Sequence, residues 1–356
     1  MAKKPAKKAA KKAAKPAKKA AKPVAKKAAA KKPVPKRPAA KAARKPSAPK
    51  FETSLEKLVV KGDDNFFGLE PDETTLKRSR FVVMSAPYEG TVSYGKGTGA
   101  GPAAIRRASQ QVELFDEITG REHIPRHGVC TLKPFNARCT AEQMTMGQIY
   151  PVTRQIVKAG KFPVLVGGEH SVSPGAVKAV WESYPDLSVF HIDAHSDMRD
   201  AYHDNKFSHA SAAARINEWC PIVQVGIRSR EKFEPGHPDR PVHVYHAWQY
   251  HTPGAWMDEA VSRLSRNVYV TIDVDGFDPS VFPGTGTPEP GGLSWYLGLE
   301  LLRKVAQLRN IVGFDVVEVA PTKGEQVSEF AGARLMGRLI AFISEYCWGS
   351  KGGEEE

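Results

Sequence analysis

The sequence predicts an α/β protein, a three-layer α/β/α sandwich with a mostly parallel central sheet. Between residue 80 and about residue 346, apolar runs typical of buried strands alternate with helical segments. Several of these strands end in acidic or histidine motifs, and open α/β sheets bind their ligands at these strand ends. Strands that alternate with helices build βαβ units, whose helices cover both faces of the sheet.

The first predicted strand, 80–85, is a short apolar run. The glycine-rich stretch 86–101 is unsuited to regular structure, and it lacks the Walker spacing of a phosphate loop, so we expect it to border an active site. A helix follows, with Pro102 in its first turn, where the missing N–H costs nothing. The later elements keep the same alternation, with strands at 162–166, 187–192, 222–226, 242–245, 268–272 and 311–315 and helices near 141–159, 173–184, 210–217, 254–265, 294–308 and 326–346.

The positive charge is concentrated in the first 50 residues. This segment is almost wholly Lys, Ala and Pro, and it holds 20 of the 52 Lys and Arg residues and none of the 39 Asp and Glu residues. It has nothing to bury and repels itself, so we predict a disordered basic tail, which resembles linker-histone tails in composition. Such a tail favours salt-sensitive binding to nucleic acid or another polyanion. The alternative is a solubilising spacer without a defined partner.

We divide the chain into the tail (1–50), a linker or lead-in (51–79), a catalytic domain (80–349) and an acidic end (350–356). The four cysteines form no C-x-x-C pair, which argues against a zinc ribbon or a dense disulfide framework. No apolar run reaches the length of about 18 residues that a membrane span needs. We therefore expect a cytoplasmic protein, with nucleoid association through the tail as an extension.

The motif at 193–197 carries three potential metal ligands. An apolar run leads directly into Asp193, His195 and Asp197, which are spaced every second residue. In an extended strand these residues share one face, so three ligands point the same way at the C-terminal end of the strand. Taken alone, the pattern also describes the solvated face of an edge strand.

Two other predicted strands also end in ligand-type residues, one at His170 and one at Asp273 and Asp275. His170 alone is more often a capping or core histidine, but the C-terminal ends of parallel strands lie along one edge, where the three groups can converge. Four carboxylates there repel one another unless cations lie between them. An oxygen-rich set without thiolate favours two Mn²⁺ ions, which supply hydroxide near neutral pH for hydrolysis of an amide or amidine.

Together these motifs resemble the ureohydrolase (arginase/agmatinase) family. The resemblance runs from about residue 80 to 346 and is carried by the motifs 167–171, 193–197, 273–280, 284–293 and 315–321. It implies the arginase-like fold, a trimer or hexamer, and hydrolysis of a guanidino compound to urea and an amine. It also implies two manganese ions held by six residues, His170, Asp193, His195, Asp197, Asp273 and Asp275.

The resemblance further implies roles for residues around the metals. Glu318 stands where the family binds the guanidinium, and a carboxylate there accepts a forked pair of hydrogen bonds. Thr287 lies beside the substrate in this comparison. His209 protonates the leaving amine, and Asp197 takes a proton from the attacking hydroxide. Without the motifs, Glu318 is a surface acid, Thr287 a turn residue and His209 a solvent-facing loop residue.

We predict agmatine as the substrate, cleaved to putrescine and urea, because the stretches 88–102 and 285–292 look like those of agmatinases. Arg199 stands where arginases keep an asparagine, which argues against arginase activity. Two interpretations of Arg199 stay open. It pairs with Asp200 or Asp204 and leaves acids for a distal ammonium, or it binds the carboxylate of a guanidino acid such as 4-guanidinobutyrate.

Two other classes of protein compete with this interpretation. A metal-dependent deacetylase shares the fold but uses one zinc and a histidine pair, so the six ligands and Glu318 argue against it. The alternative from another class is a nucleic-acid-associated protein that acts through its basic tail. The complete set of metal ligands argues against a catalytic domain that has lost its activity. Glu169 departs from the aspartate more usual at its position, and we expect a small effect.

Overall fold

The computed structural model describes residues 53–232, 234 and 236–349; the predicted tail and acidic end lie outside these ranges. The strands are β1 (Phe81–Ala86), β2 (Val129–Thr131), β3 (Phe162–Gly167), β4 (Ser188–Ile192), β5 (Ile222–Ile227), β6 (Val242–His246), β7 (Asn267–Asp273) and β8 (Asn310–Val317). The α-helices are α1 (Leu55–Leu58), α2 (Gly101–Ser109), α3 (His123–His127), α4 (Tyr150–Lys158), α5 (Ser173–Trp181), α6 (Ala212–Asn217), α7 (Ala255–Ser262), α8 (Trp295–Leu308) and α9 (Val327–Phe342).

The strands form one eight-stranded sheet in the order β2-β1-β3-β8-β7-β4-β5-β6. Every pairing between these strands is parallel. Residues alternate between the two faces, so Phe81 and Val83 pack into one apolar cluster and Val82 and Met84 into the other. Residues of α2, α7, α8 and α9 build the first cluster, and residues of α4, α5 and α6 build the second. The predicted three-layer α/β/α fold is confirmed.

The four central strands, β3, β8, β7 and β4, end level with one another. Val316 pairs with Val166 of β3, and Val317 pairs with Asp273 of β7. Ile272 of β7 pairs in turn with Ile192, the last residue of β4. The chain leaves β3 and returns in β4, so β7 and β8 fill the gap between them, and ligands bind open α/β sheets at such a switch in strand order.

The elements differ from the predictions mainly in short or irregular segments. Sequence analysis missed β2, because three residues are too few to show a strand period. The predicted helix at 141–159 begins as a π-helix, Gln143–Ile149, and continues as α4. Pro151 near this junction has no N–H to donate to the carbonyl four residues earlier, which accounts for the irregularity. A second π-helical segment, Ile343–Trp348, extends α9.

The described part of the lead-in packs against the domain. Phe66 and Phe67 are buried, and their backbone N–H groups donate to Thr131 Oγ1 and Ser109 Oγ at 3.0 and 2.9 Å. All four cysteines are free thiols. Among the described residues, no helix combines the length and the hydropathy needed to cross a bilayer.

Candidate active site

The structure brings the six predicted ligands together at the level ends of the central strands. His170 follows β3, Asp193 follows β4, and Asp273 ends β7. His195 Nδ1 lies 3.0 Å from Asp275 Oδ2, and the N–H of Asp275 donates to Asp273 Oδ1 at 2.9 Å. Because neighbouring parallel strands deliver these side chains at one height, residues far apart in sequence form a single cluster.

His170 supplies the clearest sign that a cation belongs in this cluster. Its Nε2 lies 3.0 Å from Thr271 Oγ1, which in turn lies 2.6 Å from Asp315 Oδ1. With Asp315 ionised, the Thr271 hydroxyl donates to it and accepts from His170 Nε2–H. The lone pair of His170 Nδ1 then faces Asp193 Oδ2 and Asp197 Oδ2, each 3.2 Å away, and this buried nitrogen has no hydrogen-bond partner among the described residues. A divalent cation would satisfy the nitrogen and both oxygens.

The cluster carries more negative charge than its own side chains can balance. Burial raises the pKa of Asp273 well above its usual range, and Asp275 and Asp193 raise it further. Burial lowers the pKa of His170, but the surrounding carboxylates of Asp193, Asp197 and Asp273 outweigh burial and raise it well above its usual range. The same ring nitrogen takes up either a proton or a metal ion, because either one offsets the surrounding carboxylates.

Sequence analysis missed His191, which precedes Asp193 by two residues and is buried beside it. Gln224 Nε2 donates to Ser196 O at 2.6 Å and lies 3.0 Å from His191 Nδ1, to which it also donates. His191 Nε2 therefore carries the proton and donates to Asp193 Oδ2 at 2.8 Å. A donor behind a ligand fixes the orientation of that ligand. The signal was the period of two, which continues backwards from 193 to 191.

A cavity of about 190 Å³ opens over the cluster, and Asp197, His209, Thr287 and Glu318 line it. Glu318 Oε1 accepts the backbone N–H of His170 at 2.7 Å, which leaves Oε2 for a ligand. Thr287 Oγ1 donates to Asp275 Oδ2 at 3.3 Å. The predicted catalytic and substrate-binding residues therefore share one cavity with the ligand cluster.

Two of these residues hold strained backbone conformations. Asp197 has φ 51° and Glu318 has φ 67°, in the left-handed region that costs a non-glycine residue about 1–2 kcal/mol. Burial, followed by repulsion from Glu169, raises the pKa of Glu318 well above its usual range. A strained, buried carboxylate at a cavity wall is suited to receiving a cationic ligand, which would offset both its burial and the repulsion.

Arg199 lies at the mouth of the cavity, but its partner is neither Asp200 nor Asp204. Its Nη1 lies 2.5 Å from Glu231 Oε1, and its guanidinium lies 5.0 Å from the centre of the Tyr202 ring. Asp200 pairs instead with Arg215 at 2.8 Å. Of the two interpretations left open for Arg199, pairing with Asp200 or Asp204 is therefore wrong, because a loop more than 30 residues away in sequence supplies the closer carboxylate.

A second ion pair, Arg230 with Glu234 at 3.2 Å, lies at the same mouth. The inner half of the site is thus strongly acidic, whereas the outer half holds paired charges. A parallel sheet with a histidine and carboxylate cluster at its strand ends, under a small cavity, is the arrangement of a metal-assisted hydrolase.

Comparisons with known proteins agree with this class. A family model described as the arginase family matches residues 79–341. An N(1)-aminopropylagmatine ureohydrolase of Synechocystis sp. is 35% identical over 288 residues, covering 76% of this chain and 92% of that protein. An agmatinase of Bacillus anthracis is 34% identical over 265 residues, covering 69% and 86% respectively. The crystal structure of an agmatine ureohydrolase of Thermoplasma volcanium aligns with a TM-score of 0.70 and 29% identity, covering 85% of this chain and 98% of that one.

The chain belongs to the arginase family. It is a ureohydrolase, similar to proteins that are named agmatinase and aminopropylagmatine ureohydrolase.

Proposed function

We propose that this ureohydrolase carries two Mn²⁺ ions and cleaves agmatine to putrescine and urea. The observation that carries the metal proposal is the buried, unpartnered Nδ1 of His170 facing carboxylate oxygens. His170, Asp193, His195, Asp197, Asp273 and Asp275 would hold the ions. When bound, two such ions lower the pKa of a water and supply hydroxide near neutral pH.

The side chains divide the remaining work. Glu318 Oε2, with Oε1 held by the backbone N–H of His170, would accept hydrogen bonds from the guanidinium and set its carbon over the cluster. Asp197 would accept the proton of the attacking water. His209 would donate a proton to the departing nitrogen, so that an amine leaves and urea remains. Thr287, bonded to Asp275, would lie beside the substrate.

The mouth of the cavity supports a cationic substrate. A guanidino acid needs an available cation for its carboxylate, and Arg199 is already paired with Glu231. The substrate's distal ammonium can instead approach Glu231, because a carboxylate has a second acceptor oxygen beside the one paired with Arg199 and this side chain is 47% exposed. We therefore rank 4-guanidinobutyrate and arginine below agmatine.

N(1)-aminopropylagmatine is the second candidate substrate. Proteins named for this activity are 32–35% identical to the chain. The aminopropyl group would add a further cationic nitrogen at the open end of the substrate, near Glu231 and the exposed Tyr94 ring. This substrate would release urea and a triamine.

Urea release from the full-length protein tests the proposal. The purified chain would be loaded with Mn²⁺ and supplied with agmatine, N(1)-aminopropylagmatine, 4-guanidinobutyrate or arginine. We expect kcat/KM to be highest for one of the first two and about two bound Mn²⁺ per chain by elemental analysis. Urea from none of the four compounds would refute the proposed substrates, and one ion per chain would refute the binuclear site.

A separate proposal concerns the tail, whose 20 basic residues lie outside the described ranges. We propose that residues 1–50 bind nucleic acid or another polyanion independently of catalysis. Deleting them should abolish retention on DNA at low salt and leave kcat unchanged. A large change in kcat would contradict this independence. Light scattering would test the trimer or hexamer that the family resemblance implies.

A further inference from the structure

Glu169 is a buried carboxylate that the mechanism above does not use. It is 0% exposed, and each of its oxygens receives two hydrogen bonds. Oε1 accepts from Ser171 Oγ and Thr91 Oγ1, both at 2.6 Å. Oε2 accepts from the backbone N–H groups of Gly90 at 2.8 Å and Thr91 at 2.7 Å. Two N–H and two O–H donors fit an ionised carboxylate, which can only accept.

The Thr91 hydroxyl links this carboxylate to His209. Its single proton goes to Glu169, so Thr91 Oγ1 acts towards His209 as an acceptor. It accepts the backbone N–H of His209 at 2.9 Å and lies 3.1 Å from His209 Nδ1. Nδ1 therefore needs a proton to bond to Thr91, the closer of two hydroxyls beside it, since Ser208 Oγ lies 3.4 Å away. Nε2 is the ring nitrogen left for the cavity that His209 lines.

We propose that Glu169 and Thr91 are positioning residues that act through His209. The carboxylate orients the hydroxyl, and the hydroxyl fixes both the position and the Nδ1–H tautomer of the imidazole. This arrangement uses the same logic as the carboxylate that orients a catalytic histidine in a hydrolase triad. The inference rests on the proposed function, in which His209 is the proton donor.

The proton balance of the step is simple. His209 Nε2–H gives its proton to the departing nitrogen as the carbon–nitrogen bond breaks, and His209 ends as the neutral Nδ1–H tautomer. The proton on Nδ1 stays there, hydrogen-bonded to Thr91 Oγ1, and no proton passes through the hydroxyl. Glu169 and Thr91 therefore act by orienting His209, and they determine which ring nitrogen exchanges protons with the substrate. We call this arrangement of Glu169, Thr91 and His209 the relay.

Glu169 also holds the wall of the cavity. Its backbone N–H donates to Tyr88 O at 2.9 Å, and a Cβ on the preceding Gly168 would lie only 2.0 Å from that oxygen. The glycine at 168 thus permits the close approach that brings the segment 88–95 to the end of β3. The segment's later residues, including Tyr94, line the cavity. A change at Glu169 therefore disturbs two features, whereas a change of the Thr91 hydroxyl keeps the backbone N–H donors to Glu169 and removes only the bonds of the hydroxyl to Glu169 and His209.

Kinetics of Thr91 variants test the inference. Thr91→Val removes the hydroxyl at nearly constant volume and should lower kcat about 10- to 100-fold, part of the 10²–10⁴ that a general acid contributes, while KM changes less than about threefold. Thr91→Ser keeps the hydroxyl and should stay within about threefold of the parent chain. Thr153→Val is the matched control, because Thr153 is fully buried in α4 and, within the part of the chain that the structure describes, its Oγ1 contacts only Met84 Sδ, at 3.4 Å.

A double-mutant cycle shows whether Thr91 acts through His209. In a His209→Asn background, adding Thr91→Val should cost less than about twofold in kcat, since no imidazole is left to position. An equal loss in both backgrounds would refute the inference, as would a Thr91→Ser variant as slow as Thr91→Val.

Neutron diffraction from the deuterated, Mn²⁺-loaded full chain gives a readout that needs no activity. We expect a deuteron on His209 Nδ1 directed at Thr91 Oγ1, and the Thr91 deuteron directed at Glu169. A bare Nδ1, or a Thr91 deuteron directed at His209, would overturn the relay. Because this readout does not depend on urea release, loss of the proposed function and loss of the relay are distinguishable.

Discussion

The inner and outer halves of the cavity are built in different ways. The inner half consists of side chains that follow four neighbouring strands, whose level ends leave little freedom in where Asp193, Asp273 and His170 lie. The outer half consists of loop residues joined by ion pairs, such as Arg199 with Glu231. The inner half is buried and unbalanced in charge, and the outer half is solvated and balanced. We therefore expect the chemistry to depend on the inner half and the choice of substrate on the outer half.

The largest expected effect comes from the inner half. Asp275→Ala removes an oxygen that contacts both His195 and Thr287. We expect kcat to fall about 10³-fold or more, because a metal-assisted hydrolase loses its nucleophile with its metal. Elemental analysis should show less Mn²⁺ per chain. An Asp275→Ala protein with full metal content and activity would contradict the assignment of metal binding and chemistry to the inner half.

Glu318 tests the border between the two halves. Glu318→Gln keeps the shape and the bond from His170 N–H but removes the charge. We expect kcat/KM for agmatine to fall about 100-fold, the equivalent of a charge-assisted hydrogen bond of about 3 kcal/mol. The bound Mn²⁺ should stay unchanged, since Glu318 belongs to the substrate wall. Loss of metal in this variant would indicate that Glu318 helps to hold the metal ions.

His191 tests how far the rigid half extends behind the ligands. His191→Phe removes the donor to Asp193 Oδ2 and leaves a ring of similar size. We expect metal affinity to weaken about 10- to 100-fold, the usual effect of a donor behind a metal ligand. A competition titration with a chelator would measure it. An unchanged affinity would show that the backbone alone orients Asp193.

A substitution in the outer half should change activity less, and it should change which substrate is preferred. Glu231→Gln removes the partner of Arg199, and an exposed ion pair contributes at most about 1 kcal/mol. We expect KM for agmatine to rise about twofold to fivefold with kcat unchanged, and KM for 4-guanidinobutyrate to fall, because Arg199 becomes available to its carboxylate. Initial rates across both substrates would measure this. Equal effects on the two substrates would show that the mouth of the cavity does not determine which substrate is preferred.

The last effect is on stability and concerns a histidine outside the cavity. Burial, with help from Arg80, lowers the pKa of His127 to about 4. The unfolded chain binds the proton from about pH 6.5 downwards, whereas the fold binds it only near pH 4. Stability from this group is therefore present above pH 6.5 and is lost as pH falls towards 4. His127→Gln should lose less stability over this window in urea unfolding, and an identical pH profile would contradict the assignment.

Several features could be predicted from residues alone because they depend on local periods. The alternation of strands and helices, the spacing of Asp193 and His195, and the strand-end position of His170 all follow from backbone geometry. His191 also fits the two-residue spacing of Asp193 and His195, but the sequence does not distinguish a histidine inside an apolar run from a residue of the hydrophobic core. Three residues at β2 carry no period, and so that strand was missed.

Contacts between distant loops could not be predicted in this way. Arg199 has acids one and five residues away, yet it pairs with Glu231. Thr91 and His209 are 118 residues apart and meet where Glu169, two residues after β3, accepts the backbone N–H groups of Gly90 and Thr91. Such pairings depend on where loops lie after the sheet has formed, and no spacing in the sequence encodes that position.

The sequence by itself determined the fold class, the family resemblance and the six residues at the strand ends. The fold class follows from patterns repeated with the period of a strand or a helix, whereas the family resemblance follows from short motifs and implies the set of six ligands. Only the tertiary structure decided the strand order, the level ends of β3, β8, β7 and β4, and the partners of Arg199 and His209. The physical reason is that parallel strands and their loops are brought together by packing across the whole sheet, whereas periodicity records only what each segment buries.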